Sequence, residues 1–292
     1  MNLQTLAYAK INLGLHIHSK RDDGYHEIET VFHRIDLFDL LKFEPADRIS
    51  IASSSPEIPV DESNLCWKAA AMINALAGTK HGVRITLTKS IPAGAGLGGG
   101  SADAAATLRI LPRLWNIRLS DQKLAECAIS LGSDVPFFLG TGSAHGTGRG
   151  EQLTFFSMGL PYAIVVCFPG VQVSTAWAYH QIRSFQSREH GVLANRIRAA
   201  LRNPGDLRLA LENDFEAPVF AQYPGIAAVK DSLLHAGALC ASLSGSGSSV
   251  YGLFPDDLVA RRAAETLRAG TIRTFFTPAG FQVLADNDPV IS

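Results

Sequence analysis

Pro92-Ala93-Gly94-Ala95-Gly96-Leu97-Gly98-Gly99-Gly100-Ser101-Ala102 is the densest glycine run in the chain, and it opens onto an alanine-rich stretch that reaches residue 114. Just before it, Val83-Arg84-Ile85-Thr86-Leu87-Thr88 alternates apolar and polar residues, the period of a strand with one buried face. Ser101 and Asp103 suit the start of a helix, predicted over residues 102–114. Strand, glycine loop and helix N-terminus together make a cradle of main-chain N–H groups, in which absent side chains let the amides converge and the helix end adds partial positive charge. Five glycines in seven positions cost roughly 0.5–1 kcal/mol each relative to alanine. A mere connector gains nothing that offsets this, so the run is read as a phosphate-binding loop.

Two familiar nucleotide loops fit less well. Gly94-x-Gly96-x-x-Gly99 matches the dinucleotide pattern, but residues 108–121 read as helix and loop rather than a second strand ending in an acidic residue. The G-x-x-x-x-G-K-[ST] pattern fails because no lysine follows Gly99 or Gly100.

Working outward, residues 3–18 alternate as well. Ala9, Ile11, Leu13, Leu15 and Ile17 share one parity, which leaves Tyr8, Lys10, Asn12, Gly14, His16 and His18 on the other, polar face. One or two further strands are expected over 29–43, and helices over 64–76 (capped by Asp61 or Ser63), 119–131 and 135–139. A second glycine-rich stretch spans 141–151. The continuous apolar strand 162–168 follows it, and the domain boundary is placed near residue 155, giving units 1–155 and 156–292. The second unit is expected to hold helices at 173–183, 192–202, 205–220, 224–236 and 256–269. Its strands are expected at 238–243, 248–254, 271–276 and 280–284.

Composition narrows the partners. Of 292 residues, 47% are hydrophobic and only 18% charged, which excludes a disordered chain, a collagen-like repeat and a coiled coil. Lys+Arg 26 against Asp+Glu 27 offers no excess of positive charge for a nucleic acid or an acidic membrane, so an anionic ligand must be held locally. Cys66, Cys127, Cys167 and Cys240 are too scattered for a zinc site or a disulfide framework and read as reduced, buried thiols. The N-terminal stretch has no signal-peptide h-region, and a cytoplasmic location is expected. His16, His18, His26 and His33 would be the candidates for a metal cluster, but no carboxylate at ligand spacing supports one, and they are read as strand-face histidines.

Several elements stay open on the residues alone. Asp134, in Gly132-Ser133-Asp134-Val135-Pro136, either caps the short helix after it or is a carboxylate in a partly dry site, placed to take a hydroxyl proton. Lys10 is either a solvated strand lysine or a partner of such a carboxylate. Tyr25 and His26, in Asp22-Asp23-Gly24-Tyr25-His26-Glu27, suggest recognition of a planar ring beyond a hairpin connection. Ser242-Leu243-Ser244-Gly245-Ser246-Gly247-Ser248-Ser249 is a hairpin turn or a second anion-contacting loop.

Ala7-Tyr8-Ala9-Lys10-Ile11-Asn12-Leu13, then residues 92–102, then residues 242–249, resemble in this order the GHMP kinase superfamily, named for galactokinase, homoserine, mevalonate and phosphomevalonate kinases. Residues 21–27, 131–138 and 213–216 are similar to the branch that phosphorylates a cytidine diphosphate-linked methylerythritol, and the resemblance covers essentially the whole chain. It implies an α+β, two-domain fold, ribosomal-protein-S5-like in the N-terminal half and ferredoxin-like in the C-terminal half. It also implies ATP as co-substrate, Mg²⁺, and phosphorylation of a hydroxyl in isoprenoid precursor synthesis. By the same resemblance Asp134 takes the hydroxyl proton and Lys10 orients the hydroxyl and stabilises developing charge. Residues 92–102 hold the triphosphate with Ser101 near Mg²⁺, and Asn64, Leu65 and Lys89 lie at the adenine end. Tyr25, His26 and Tyr179 hold cytosine, and Asn12 touches the substrate. Competing expectations are a homoserine- or mevalonate-type kinase of the same superfamily and a non-catalytic nucleotide-binding regulator.

Overall fold

The alternating first segment forms β1 (Leu3–Lys20), antiparallel to a single long strand, β2 (His26–Ala46). The computed structural model describes residues 2–270 and 272–283. The other edge of β2 is divided between β4 (Gly82–Thr88) and β5 (Ser143–Thr147); β3 (Ile49–Ser53) lies parallel beside β4, and β6 (Gln152–Phe156) pairs with β5. Helices α1 (Leu65–Ala77), α2 (Gly99–Leu114) and α3 (Asp121–Leu131) cover this six-stranded sheet, burying Ala69, Ile73, Ala105 and Leu108 against Phe43, Ile85 and Leu87.

The second half holds a four-stranded antiparallel sheet in the order β10-β7-β9-β8, with β7 (Ala163–Phe168), β8 (Cys240–Leu243), β9 (Val250–Phe254) and β10 (Arg273–Thr277). Helices α8 (Pro224–His235) and α9 (Asp257–Ala269) place Val229, Leu233, Ala260 and Ala264 against Val165, Cys167, Val250 and Phe254. The architecture is α+β in both halves. A third cluster joins them: Ala9, Ile11 and Leu13 of β1 pack with Ile164, Val166, Tyr251 and Leu253. All four cysteines are free and buried, as the sequence suggested. Among the described residues no helix is long and apolar enough to cross a membrane.

β1 departs from expectation in that both of its faces are covered: Lys10, Asn12 and His16 are buried along with the apolar parity. An edge strand exposes a row of unpaired N–H and C=O groups that must find partners. Here they come from loops rather than a further strand. Lys10 N donates to Leu97 O (3.0 Å), Leu15 N to Glu212 O (2.9 Å), and Asp214 N to Leu15 O (3.0 Å). The glycine loop and the 212–214 segment are thereby docked onto β1, which brings chemistry from both halves to one strand edge.

Other differences have local causes. Helix α2 starts at Gly99, inside the glycine run, because Gly98 adopts φ +72° as a cap that needs no side chain. Asn64 caps α1 by accepting from Cys66 N (2.8 Å), while Asp61 and Ser63, expected to do so, bond each other in the preceding turn (2.9 and 2.6 Å). The helix expected over 205–220 is broken into α6 (Leu207–Ala210) and α7 (Glu216–Gln222). Between them Asn213 is drawn off to donate to Leu243 O (2.8 Å) and Gly245 O (2.9 Å). Residues 280–283 carry no strand, Gly280 turning at φ +72°, and residue 284 lies outside the described residues.

His33, on β2, is buried, with Nδ1 2.8 Å from Ser143 Oγ, and burial pulls its imidazole down to about 4. A base depressed in the fold contributes stability above its unfolded value, near 6.5, and loses it as pH falls toward the folded value, because only the unfolded chain takes the proton. Stability is expected to fall by up to about 3 kcal/mol between pH 6.5 and 4 from this ring, at 1.36 kcal/mol per unit. Urea melts at stepped pH values check this. His33→Asn should remove one proton's worth of slope in that window, and an unchanged slope would exclude the ring as its source.

Candidate active site

Lys10 is the hub of the site. Its ammonium, on a side chain 4% exposed, lies 2.7 Å from Asn12 Oδ1, 3.1 Å from Gly96 O and 3.2 Å from Asp134 Oδ2. Parity on β1 sets Lys10 beside Asn12, and Asn12 is fixed in turn: its Nδ2 donates to Thr30 Oγ1 (3.0 Å) and its N–H to Ser244 Oγ (3.3 Å). Asp134 precedes a 3₁₀ turn, Val135–Leu139, yet makes no capping bond with its side chain. The carboxylate, 34% exposed, is left for Lys10 and the open cavity.

The glycine loop alternates positive φ at Gly94 (+62°), Gly96 (+76°) and Gly98 (+72°), a conformation that turns successive N–H groups to a common side. It is pinned from two directions. Ser244 Oγ donates to Gly96 O (2.9 Å), and Ser249 N donates to Ala95 O (3.1 Å). The serine–glycine segment links β8 to β9, as the hairpin reading has it, and its Gly245 and Ser246 line the cavity. Residues 92–96 and 98–101 line a cavity of about 480 Å³ that also contains Lys10, Asn12, Leu65, Lys89 and Asp134. Leu97 and Ala102 instead point into the cores.

Lys89 enters this cavity already paired. Its Nζ lies 2.5 Å from Asp39 Oδ2 and 2.6 Å from Asp103 Oδ2, all nearly buried. Burial pulls the ammonium down, but the Asp103 and Asp39 charges outweigh it and hold it above the usual lysine range; burial and the charge of Asp39 push the Asp103 carboxyl up. Asp39 Oδ1 further accepts from Ser90 N (2.6 Å) and Ile91 N (2.9 Å), so the triad fixes the chain just before the loop. Asn64, assigned to the same end by resemblance, spends its side chain on the α1 cap and on Pro59 O (2.6 Å).

A second cavity, about 630 Å³, adjoins the first and shares Asp134, Arg149, Thr175 and Tyr179 with it. Tyr25 and His26 both line it. His26 stacks on Tyr179, carried by α4 (Thr175–Gln181), with centroids 4.8 Å apart at 15°. Tyr25 is 54% exposed, with the Arg149 guanidinium 4.6 Å from its ring centroid. Three participants escaped the sequence reading. Arg149 lies in the second glycine stretch, whose role was left unassigned. Phe185 lies 6.2 Å from His26, and Thr175 Oγ1 meets Ser246 Oγ at 2.9 Å. The single basic residue among the glycines of Gly146-Thr147-Gly148-Arg149-Gly150 was the available signal.

Family models described as "GHMP kinases N terminal domain" and "GHMP kinases C terminal" match residues 64–142 and 196–271. The fold is that of a GHMP kinase, and the chain is an ATP-dependent small-molecule kinase.

At closer range, the chain is 47% identical over 282 residues to the 4-diphosphocytidyl-2-C-methyl-D-erythritol kinase of Prosthecochloris aestuarii (strain DSM 271 / SK 413), covering 96% of this chain and 98% of that one. It is 49% identical over 282 residues to the kinase of the same name from Chlorobium luteolum (strain DSM 273 / BCRC 81028 / 2530), covering 95% and 97%. A crystal structure of 4-(cytidine 5'-diphospho)-2C-methyl-D-erythritol kinase matches with a TM-score of 0.81 at 38% identity, over 95% of this chain and 99% of that one. Homoserine kinase from Cytophaga hutchinsonii matches with a TM-score of 0.75 at 20% identity, over 96% and 95%, a likeness of fold alone. The chain belongs to the 4-diphosphocytidyl-2-C-methyl-D-erythritol kinase family.

Proposed function

We propose that the chain transfers the γ-phosphoryl group of ATP to the 2-hydroxyl of 4-diphosphocytidyl-2-C-methyl-D-erythritol, a step of non-mevalonate isoprenoid precursor synthesis, in the cytoplasm. The observation that carries this reading is the position of Lys10 and Asp134, 3.2 Å apart, where a glycine-lined cavity meets an aromatic-lined one. Phosphoryl transfer needs alignment and charge neutralisation more than covalent help from the protein. Loop amides at residues 94–101 and the α2 N-terminus hold the triphosphate. Lys10 neutralises charge on the transferring group, and Asp134 orients the hydroxyl and accepts its proton. The bond from the γ-phosphorus to the bridging oxygen breaks as the bond to the 2-oxygen forms, and ADP leaves.

Mg²⁺ takes hard oxygen donors and usually keeps waters and phosphate oxygens among its ligands. Ser101 lines the cavity, and its hydroxyl is a donor of that class. When bound, the ion neutralises charge on the phosphates. Cytosine occupies the second cavity against His26, Tyr179 and Tyr25, with Asn12 near the acceptor. Arg149 lines both cavities, where its guanidinium suits the linking diphosphate. An ATP-binding unit, 1–155, and a substrate-side unit, 156–292, are the proposed division of labour; the first sheet ends with β6 at Phe156 and the second begins with β7 at Ala163.

Coupled ADP release tests the assignment. Turnover is expected with the diphosphocytidyl alcohol and to be at background with homoserine and mevalonate. Equal turnover with either small alcohol would overturn the substrate.

A further inference from the structure

Behind the phosphoryl-transfer cleft, Gly14 (φ +73°) interrupts the β1–β2 register between Leu13 and Leu15. The shift turns Leu15 toward the cleft and puts His16 directly opposite Glu29, with His18 two residues on. One ring nitrogen of His16, one of His18 and a Glu29 carboxylate oxygen lie within 4.8 Å of one another. Along the chain these histidines have no carboxylate at ligand spacing. Glu29 supplies one across the strands, while His26 and His33 lie elsewhere.

Three features distinguish this from an ordinary buried ion pair. His16 is 1% exposed and its Nε2 has no hydrogen-bond partner, an orphaned donor or acceptor of the kind a fold normally avoids. Glu29 is firmly held: Oε1 accepts from Leu193 N (2.7 Å) and His145 Nε2 (2.8 Å), the Gly191 N–H also donates to the carboxylate, and Oε2 lies 3.2 Å from His18 Nε2. Such supporting bonds are what fix a carboxylate that ligates a metal. Finally, His190 stacks on His18 at 3.7 Å, so four of the nine histidines gather around one glutamate. Two cations face this cluster, Arg196 and Arg188, and Arg188 is itself neutralised by Asp214 (2.8 Å) and Glu212 (3.3 Å).

We propose that His16, His18 and Glu29 form a binding site for a divalent transition-metal ion, Zn²⁺ being the ion this ligand set suits, distinct from the phosphoryl-transfer centre. Two borderline imidazole nitrogens beside one carboxylate make a donor set that suits zinc and cobalt, whereas Mg²⁺ takes oxygen donors. The widest ligand separation, up to 4.8 Å, closes by about 1.5 Å on binding, since tetrahedral bonds of about 2.0–2.1 Å set ligand atoms ~3.3 Å apart. Because Glu29 also holds Leu193 N at the start of α5 (Leu193–Ala200), the ion clamps that helix from the second half onto β1 and β2 of the first.

Cobalt titration of the tag-free, chelator-stripped full chain tests this, read by the visible bands of tetrahedral Co²⁺. One equivalent is expected to give those bands and one equivalent of Zn²⁺ to abolish them. His18→Gln and His16→Ala should each weaken binding more than ~100-fold, beyond the ~10–100-fold that loss of a supporting hydrogen bond costs. The exposed His81→Ala should leave it unchanged. Absence of the bands in the wild-type chain overturns the proposal, whatever the variants do. So does binding that survives His18→Gln in protein whose far-ultraviolet spectrum is native.

Discussion

Asp134→Asn is expected to lower kcat by roughly 10²–10⁴-fold while ATP affinity stays within a few-fold, the range associated with losing a positioned general base. The substitution is nearly isosteric, and the amide oxygen can still accept from Lys10, so the lysine at 3.2 Å keeps a partner. What disappears is the charge and the capacity to take a proton. The glycine loop is held by Ser244, Ser249 and the β1 backbone, none of which involves Asp134, so nucleotide binding has no reason to change. Lys10→Ala is expected to be as damaging to turnover by a different route. It removes the cation at the transferring group and leaves Gly96 O with Ser244 Oγ alone. Steady-state kinetics with both substrates varied, and isothermal titration with a non-hydrolysable ATP analogue, separate the two effects. Near-normal kcat in either variant would remove that residue from the reaction.

Much of this site could be read from the chain because short-range rules govern its parts. Period-2 parity puts Lys10 beside Asn12, and glycines at alternating positions announce a loop that needs positive φ at 94, 96 and 98. What joins distant parts was not legible. That the outer edge of β1 would be covered by Leu97 and Glu212 depends on the second half folding against the first. The same docking pulls Asn213 out of a helix that its neighbours would otherwise continue. His16 and Glu29 illustrate the point: thirteen positions apart, they become partners because one glycine shifts the register. Arg149 was hidden for a related reason, since a lone basic residue in a turn says nothing of the two cavities it will border.

Gly96→Ala is expected to destabilise the fold by about 2–5 kcal/mol and to raise the KM for ATP at least ~10-fold, combining left-handed strain with overpacking. At φ +76° a Cβ would fall 2.2 Å from Ser244 O and 3.0 Å from Gly247 O, both backbone atoms that cannot swing aside. The loop must therefore move, and with it Gly96 O, which ties Lys10 and Ser244 together. Two controls separate the causes. Gly170→Ala has the same sign of φ (+78°) but nothing within 4 Å, so it carries the strain alone and should cost about 1–2 kcal/mol without touching ATP. Gly100→Ala sits in the first turn of α2 without positive φ, with its nearest neighbour, Leu65 Cδ1, at 3.9 Å. It should leave stability equal or better by about 0.5–1 kcal/mol, since alanine suits a helix. Because its methyl group enters the cavity where the phosphates are proposed to lie, any loss there must appear in ATP binding rather than in folding. Thermal melts and ATP titrations on the three variants therefore distinguish a loop that holds phosphate from one that only connects a strand to a helix. The connector reading requires that Gly96→Ala and Gly100→Ala leave ATP binding unchanged once each variant is folded.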